Sequence, residues 1–190
     1  LQAQVVLHFS LASLFTYLLV RRLARRAGAR LPAARFAGAV AALSFTYAGY
    51  LTSFPVQQIT ILETAVWLPL VLFFQDLSFD SSGTWSRRWG PPVLAGMALA
   101  LALLAGHPQT AMLVVYAALA YSLFLLLSAG RRASQASSDL SIPSSGRSRL
   151  VNCALCIVHC ALPFLVAFAL AAVQLVPTLT FIAHSTRAGL

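Results

Sequence analysis

Three observations place this chain in the all-α class, as a polytopic transmembrane helical bundle of about six spans with short outer re-entrant or interfacial helices. Composition comes first: 59% of the 190 residues are hydrophobic and 9% are charged, far too apolar for a soluble domain of this length. The apolar residues also fall in runs long enough to cross a bilayer, separated by polar or basic connections. Those runs lack the period-two alternation of barrel strands, so helices are the structure that can pair its backbone groups in lipid.

The spans, taken in order, are 5–20, 36–54, 60–77, 92–105, 109–128 and 150–176. In the first, His8 with Gln4 one turn before it reads as a helix-to-helix hydrogen bond rather than a ligand pair. Small residues at Gly38, Ala42, Ala95, Gly96, Ala98 and from Ala117 to Ala120 read as close helix packing. In the third, Trp67 suits the headgroup belt and Pro69 must kink the helix or mark its ordered start. The fourth falls below the roughly 17 to 25 residues of a crossing helix. It must therefore borrow residues from Trp89 onward or end inside the membrane.

The fifth span begins at Leu104-Ala105-Gly106-His107-Pro108-Gln109-Thr110, where two apolar runs meet in a tight turn. Pro108 suits the first helical position, because its fixed φ fits a helix start and its missing N–H would have had no partner there. The N–H groups that follow carry a partial positive charge and favour an anion, and His107 stands beside them. In the sixth span Cys153, Cys156 and Cys160 share one helical face near His159. Three cysteines cannot all pair, and small apolar residues of this kind commonly line a packed helix face, so no metal is assigned there.

Charge sets an orientation. The net charge of +9 comes from 13 arginines and no lysine, and 12 of them fall in three connections: Arg21 to Arg35, Arg87 and Arg88, and Arg131 to Arg149. These connections are expected to be cytoplasmic, with the amino end and the His107 turn outside. A basic balance in a soluble protein would point to nucleic acid; between apolar runs it points to anionic lipid instead, and no nucleic-acid partner is expected. Residues 129–149, rich in Ser with Gly130, Pro143 and Gly146, read as a flexible cytoplasmic loop. Leu at position 1 and a polar final stretch read as an internal piece of a longer chain.

The uncharged hydrogen-bonding groups gather on the opposite face. They are Gln57, Gln58 and Thr60 before the third span, His107 and Gln109 at the turn, and Gln174, Thr178, Thr180, His184 and Ser185 at the end, joined by Arg187. Glu63 reads as the one acidic residue outside the basic loops, at the outer end of the third span. Its uses there are an interfacial carboxylate reaching water, an ion pair with Arg187, a ligand to a divalent cation, or a general base.

Ala105-Gly106-His107-Pro108-Gln109, Val66-Trp67-Leu68-Pro69-Leu70, and the run Ala172 to Leu179 followed by Ser185-Thr186-Arg187 resemble, in order and spacing, the YfhO family of bacterial polytopic membrane proteins. The resemblance covers residues from about 36 to the end and implies a GT-C type glycosyltransferase of the bacterial cytoplasmic membrane. Such an enzyme moves a sugar from a polyprenyl-phosphate carrier to a cell-envelope polymer at the outer face. It implies that the acidic catalytic residue lies in an earlier outer loop, ahead of this chain, with Glu63 the candidate within it. Where the family often carries an acid after the last motif, this chain has Thr180. Substrate binding then falls to His107 and Arg187 for the lipid phosphate and to Gln57, Gln58, Gln109 and Gln174 for sugar hydroxyls, with His184 nearby. The competing class is a multi-pass transporter or lipid flippase, which a Pro-broken third helix and a short fourth one also fit. Weighing against it is the expectation of no ionisable residue other than His and Cys in the middle of a span.

Overall fold

The computed structural model describes residues 2–53, 58–79, 85–139 and 146–183, and every regular element among them is helical. In chain order they are α1 (Gln2–Arg26), α2 (Leu31–Thr46), α3 (Gly49–Ser53), α4 (Ile59–Ala65), α5 (Leu68–Ser78), α6 (Trp85–Leu104), α7 (Pro108–Asp139) and α8 (Gly146–Ala183). Four stretches are long and apolar enough to cross a membrane: Gln2–Arg26, Ile59–Ser78, Pro108–Arg131 and Ala154–Thr178. Leu31–Thr46 and Trp89–Leu104 are shorter apolar helices beside them. The chain is a helical membrane protein.

Element boundaries follow local chemistry. α1 stops at Gly28, whose φ of +88° is a left-handed turn that closes the helix, with the Ala29 N–H donating to the Ala24 carbonyl at 3.0 Å. α2 starts early, with Pro32 in its first turn, and ends at Thr46, so the predicted 36–54 span is one 16-residue helix followed by the short α3. At 1.5 Å per residue α2 is about 24 Å long. α4 and α5 are one path interrupted at Val66 and Trp67, because Pro69 has no N–H to give the Ala65 carbonyl. α6 reaches back to Trp85 through Pro91 and Pro92, yet its apolar stretch, Trp89–Leu104, stays shorter than the four spanning stretches. α7 continues to Asp139, making residues 129–139 helical where a flexible loop was expected; Ala129, Arg131, Arg132 and Ala133 are strong helix formers.

Packing is organised around α5. Val71 meets Leu99 of α6, Val114 and Ala118 of α7, and Ala167 of α8 in one buried cluster. Val66, just before α5, packs with Ala12 and Phe15 of α1. Leu51, Leu62 and Ala65 form a third cluster, with Val5, Phe9 and Phe45 against it. Two glycines set the closest approaches. A Cβ on Gly38 would lie 2.9 Å from the Tyr17 ring, and one on Gly96 would lie 2.6 Å from Val166 Cβ and 2.7 Å from the Pro163 carbonyl. α8 also holds α6 through Trp89 stacked on His159, ring centres 5.0 Å apart. The outward faces are greasy: Leu113, Phe124, Leu165, Phe168 and Val173 are all exposed, as lipid-facing residues should be.

The bundle has two distinct ends. Gln4 at the start of α1 donates to Glu63 in α4, whereas Arg22 and Arg26 at its end reach Asp76 in α5. Gln4 and Arg22 are 18 residues apart, about 27 Å along the helix. The His107 turn belongs to the Glu63 end, since Thr110 bonds Tyr50 of α3 and the adjacent Leu51 packs on Leu62 of α4. The turn and the Arg21 to Arg35 connection are therefore at opposite ends.

Candidate functional site

At the His107 end, Pro108 is the first residue of α7, as its chemistry predicts. The N–H groups after it do not all face outward. The Thr110 N–H donates to His107 Nδ1 at 3.2 Å, and the Ala111 N–H donates to the His107 carbonyl at 3.0 Å. His107 thus caps the helix with its own ring, a role usually filled by Ser, Thr, Asp or Asn. Accepting at Nδ1 leaves Nε2 as the protonated nitrogen of a neutral imidazole, and so as the donor toward any ligand. Gly106 makes the approach possible with a φ of +85°.

Thr110 extends this arrangement inward. Its hydroxyl lies 2.7 Å from His107 Nδ1 and 3.2 Å from the Tyr50 hydroxyl, giving a polar relay from α3 to the turn. Beneath the relay lies a cavity of about 200 Å³ lined by Phe45, Leu51, Ala65, Leu68, Leu113 and Val114, with Tyr50 and Thr110 as its polar members. An apolar chamber with hydroxyls at its rim suits a lipid tail whose head stays near the turn.

The remaining predicted residues scatter. Glu63 is half-buried and accepts from the Gln4 side-chain amide on α1, whereas the cavity is lined by its neighbours Ala65 and Leu68. Neither Glu63 nor His107 lines the cavity; His107 reaches its edge through Thr110. Gln58 and Gln109 are exposed beside their helix starts, and Gln174 is exposed on α8, where its carbonyl accepts from the Thr178 hydroxyl. Gln57, His184 and Arg187 lie outside the described residues, and with them the proposed Glu63–Arg187 pair. His8 bonds the Gln4 carbonyl of its own helix at 2.8 Å, not a neighbouring helix. Among the described residues no group of His, Cys, Asp or Glu is arranged to hold a metal; Cys156 and Cys160 form no disulfide.

The opposite end corrects the reading of Glu63 as the one acid outside the basic loops. Asp76 is 1% exposed inside the bundle, where Arg22 Nε donates to Oδ2 at 2.5 Å and Arg26 Nη1 donates to Oδ1. The Tyr121 hydroxyl of α7 adds a third bond to Oδ1 at 3.1 Å. Burying a carboxylate is tolerable only with such partners. Tyr121 thus holds Asp76 against α7, while Arg22 and Arg26 reach it from the last turns of α1. Beside it Gln75 is buried and donates to the Ala118 carbonyl at 3.3 Å and to the Ser122 hydroxyl at 3.1 Å, while its Oε1 has no partner. Sequence reasoning could have found Asp76 from one signal: an acid within an apolar run needs a cation, and Arg22 and Arg26 supply two at helical spacing.

Compared with family models, with characterised proteins and with solved structures, the chain finds no match.

Proposed function

We propose that this chain is the carrier-binding membrane part of a glycosyltransferase-like protein that moves a sugar from a polyprenyl-phosphate to a cell-envelope polymer. The Tyr50–Thr110–His107 relay over an apolar cavity carries the reading. In it the isoprenoid tail enters the cavity, and the phosphate rests against His107 Nε2 and the amino end of α7. An acceptor hydroxyl attacks the anomeric carbon, the bond to phosphate breaks, and the His107 Nε2–H and the Gln109 N–H stabilise the departing charge. The sidedness that goes with this reading puts the His107 turn outside the bacterial cytoplasmic membrane and the arginine-rich connections within the cell. Gln58, Gln109, Gln174 and Arg187 are proposed for the sugar and phosphate, and the catalytic base is assigned to a segment beyond this chain. Transfer of labelled sugar from a polyprenyl donor by the reconstituted full-length protein tests it. His107→Ala and Thr110→Val should each lower transfer at least tenfold, a loss of about 1.4 kcal/mol of transition-state stabilisation. Unchanged transfer in both would remove the assignment.

A transporter or flippase is the second reading, and Asp76 is the observation that favours it. A buried carboxylate shared by two guanidiniums inside a membrane bundle is a common element of substrate and proton pathways. Asp76→Asn should then abolish carrier movement across vesicles while leaving transfer from donor supplied on the His107 side.

A further inference from the structure

The last turns of α1 carry Arg21, Arg22, Arg25 and Arg26, which fall into two stripes of i, i+4 partners. Arg22 and Arg26 form the stripe that meets Asp76. Arg21 and Arg25 form the neighbouring stripe, and no carboxylate meets them among the described residues. Arg21 lies 6.0 Å from the centre of the Tyr17 ring, and Arg25 Nη1 donates to the Ala29 carbonyl at 3.0 Å. Among the described residues the carboxylate that these guanidiniums meet is Asp76, and it is met by Arg22 and Arg26, so Arg21 and Arg25 add positive charge that no described carboxylate offsets.

That surplus borders a cleft. Leu18, Arg21, Arg22 and Arg25 of α1 face Phe73 of α5 across a cleft of about 310 Å³. Its charge and its grease are separated along the helix: Leu18 lies seven residues from Arg25, about 10 Å closer to the apolar middle of α1. A free anion would engage the guanidiniums and leave Leu18 and Phe73 unused. A lipid would use both, with its phosphate in the planar forks of the arginines and its first methylenes along the two apolar side chains. A headgroup bearing its own ammonium would add a cation to a place already rich in them, so a net negative lipid fits better than a zwitterionic one.

We infer that the cleft between the end of α1 and Phe73 is a binding site for the headgroup phosphate of an anionic phospholipid, held by Arg21 and Arg25 with Arg22 at its edge. It lies at the opposite end from the His107 relay and stands without the carrier reading.

The test uses the full chain in a neutral detergent, titrated with fluorescent short-chain phosphatidylglycerol, with phosphatidylcholine of the same chain length and inorganic phosphate as competitors. Phosphatidylglycerol should bind at least tenfold more tightly than either. At about 1 kcal/mol for each Arg near an anionic headgroup, Arg21→Gln with Arg25→Gln should weaken it roughly 25-fold. Arg21→Lys with Arg25→Lys should recover part of the loss, and Arg131→Gln on α7 should leave binding unchanged. An unaltered thermal transition in the double Gln variant separates lost binding from lost folding. Equal binding of phosphatidylcholine, full displacement by phosphate at matching concentration, or an equal loss in Arg131→Gln would each overturn the site.

Discussion

Arg22 Nε donates to Asp76 Oδ2 at 2.5 Å, and this contact ties the last turns of α1 to the last turns of α5. Arg22 and Arg26 retain 18% and 23% exposure of their side chains, whereas Asp76 has 1%. The cost of breaking the cluster thus falls mainly on which partner is removed. Asp76→Ala takes the carboxylate away from two arginines and the Tyr121 hydroxyl. It should destabilise the bundle by about 3 kcal/mol, the lower part of the range for buried pairs because both arginines reach water. Arg22→Gln should cost less, since Arg26 and Tyr121 still hold the carboxylate. Thermal unfolding in detergent reads both, and an Asp76→Ala protein as stable as the parent would refute the role.

His107 joins a structural and a chemical role that substitution can separate. His107→Ala removes the cap on the Thr110 N–H and should cost about 1 kcal/mol of stability. His107→Asn can restore the cap while deleting Nε2. Stability should return in the Asn variant and carrier binding should not. Recovery of both would show that the ring matters only as a cap.

The two turn and contact glycines should fail differently. Gly106→Ala places a side chain in open space but forces a left-handed backbone, costing about 1–2 kcal/mol. Gly96→Ala keeps an easy backbone but drives a methyl group into Val166 and the Pro163 carbonyl, an overpacking cost of about 1–3 kcal/mol. Val166→Ala should relieve Gly96→Ala only slightly, because it removes Cγ1 but keeps the Val166 Cβ that makes the closest contact beside the Pro163 carbonyl, and should not rescue Gly106→Ala. Melting temperatures of the single and double variants give the answer.

Gln75 is buried with an unpartnered Oε1. Gln75→Met alone abandons the Ser122 hydroxyl and the Ala118 carbonyl, although the latter keeps its helical bond, so a loss of about 1 kcal/mol is expected. Pairing it with Ser122→Ala removes the stranded hydroxyl as well, and the double variant should match or exceed the parent's stability in the same unfolding measurement.

Much of the fold was legible in the sequence because membrane helices are governed by local rules. Composition and period gave the helical class, Pro69 gave the break between α4 and α5, and Pro108 gave the start of α7. Gly38 and Gly96 gave the close contacts. What stayed hidden depended on residues far apart in the chain. Tyr50 and Thr110 meet only because α3 turns back over α7, a contact across 60 residues that no period announces. Asp76 sits at the end of an apolar run and reads as a span boundary, until α1 is known to bring Arg22 beside it across 54 residues. The true end of α2 at Thr46 was obscured because residues 47 to 54 contain no charge and no proline to mark a stop.

The length of α2 has a consequence for the surrounding lipid. Its 16 residues span about 24 Å, whereas a hydrocarbon core is about 30 Å thick. Acyl chains bordering this flank must shorten or tilt by several ångströms, while those along α7 need not. A helix of this length matches a hydrocarbon layer locally thinner on its own flank of the bundle than along α7, so a bilayer that is thin on one side would suit this protein better than a uniformly thick one.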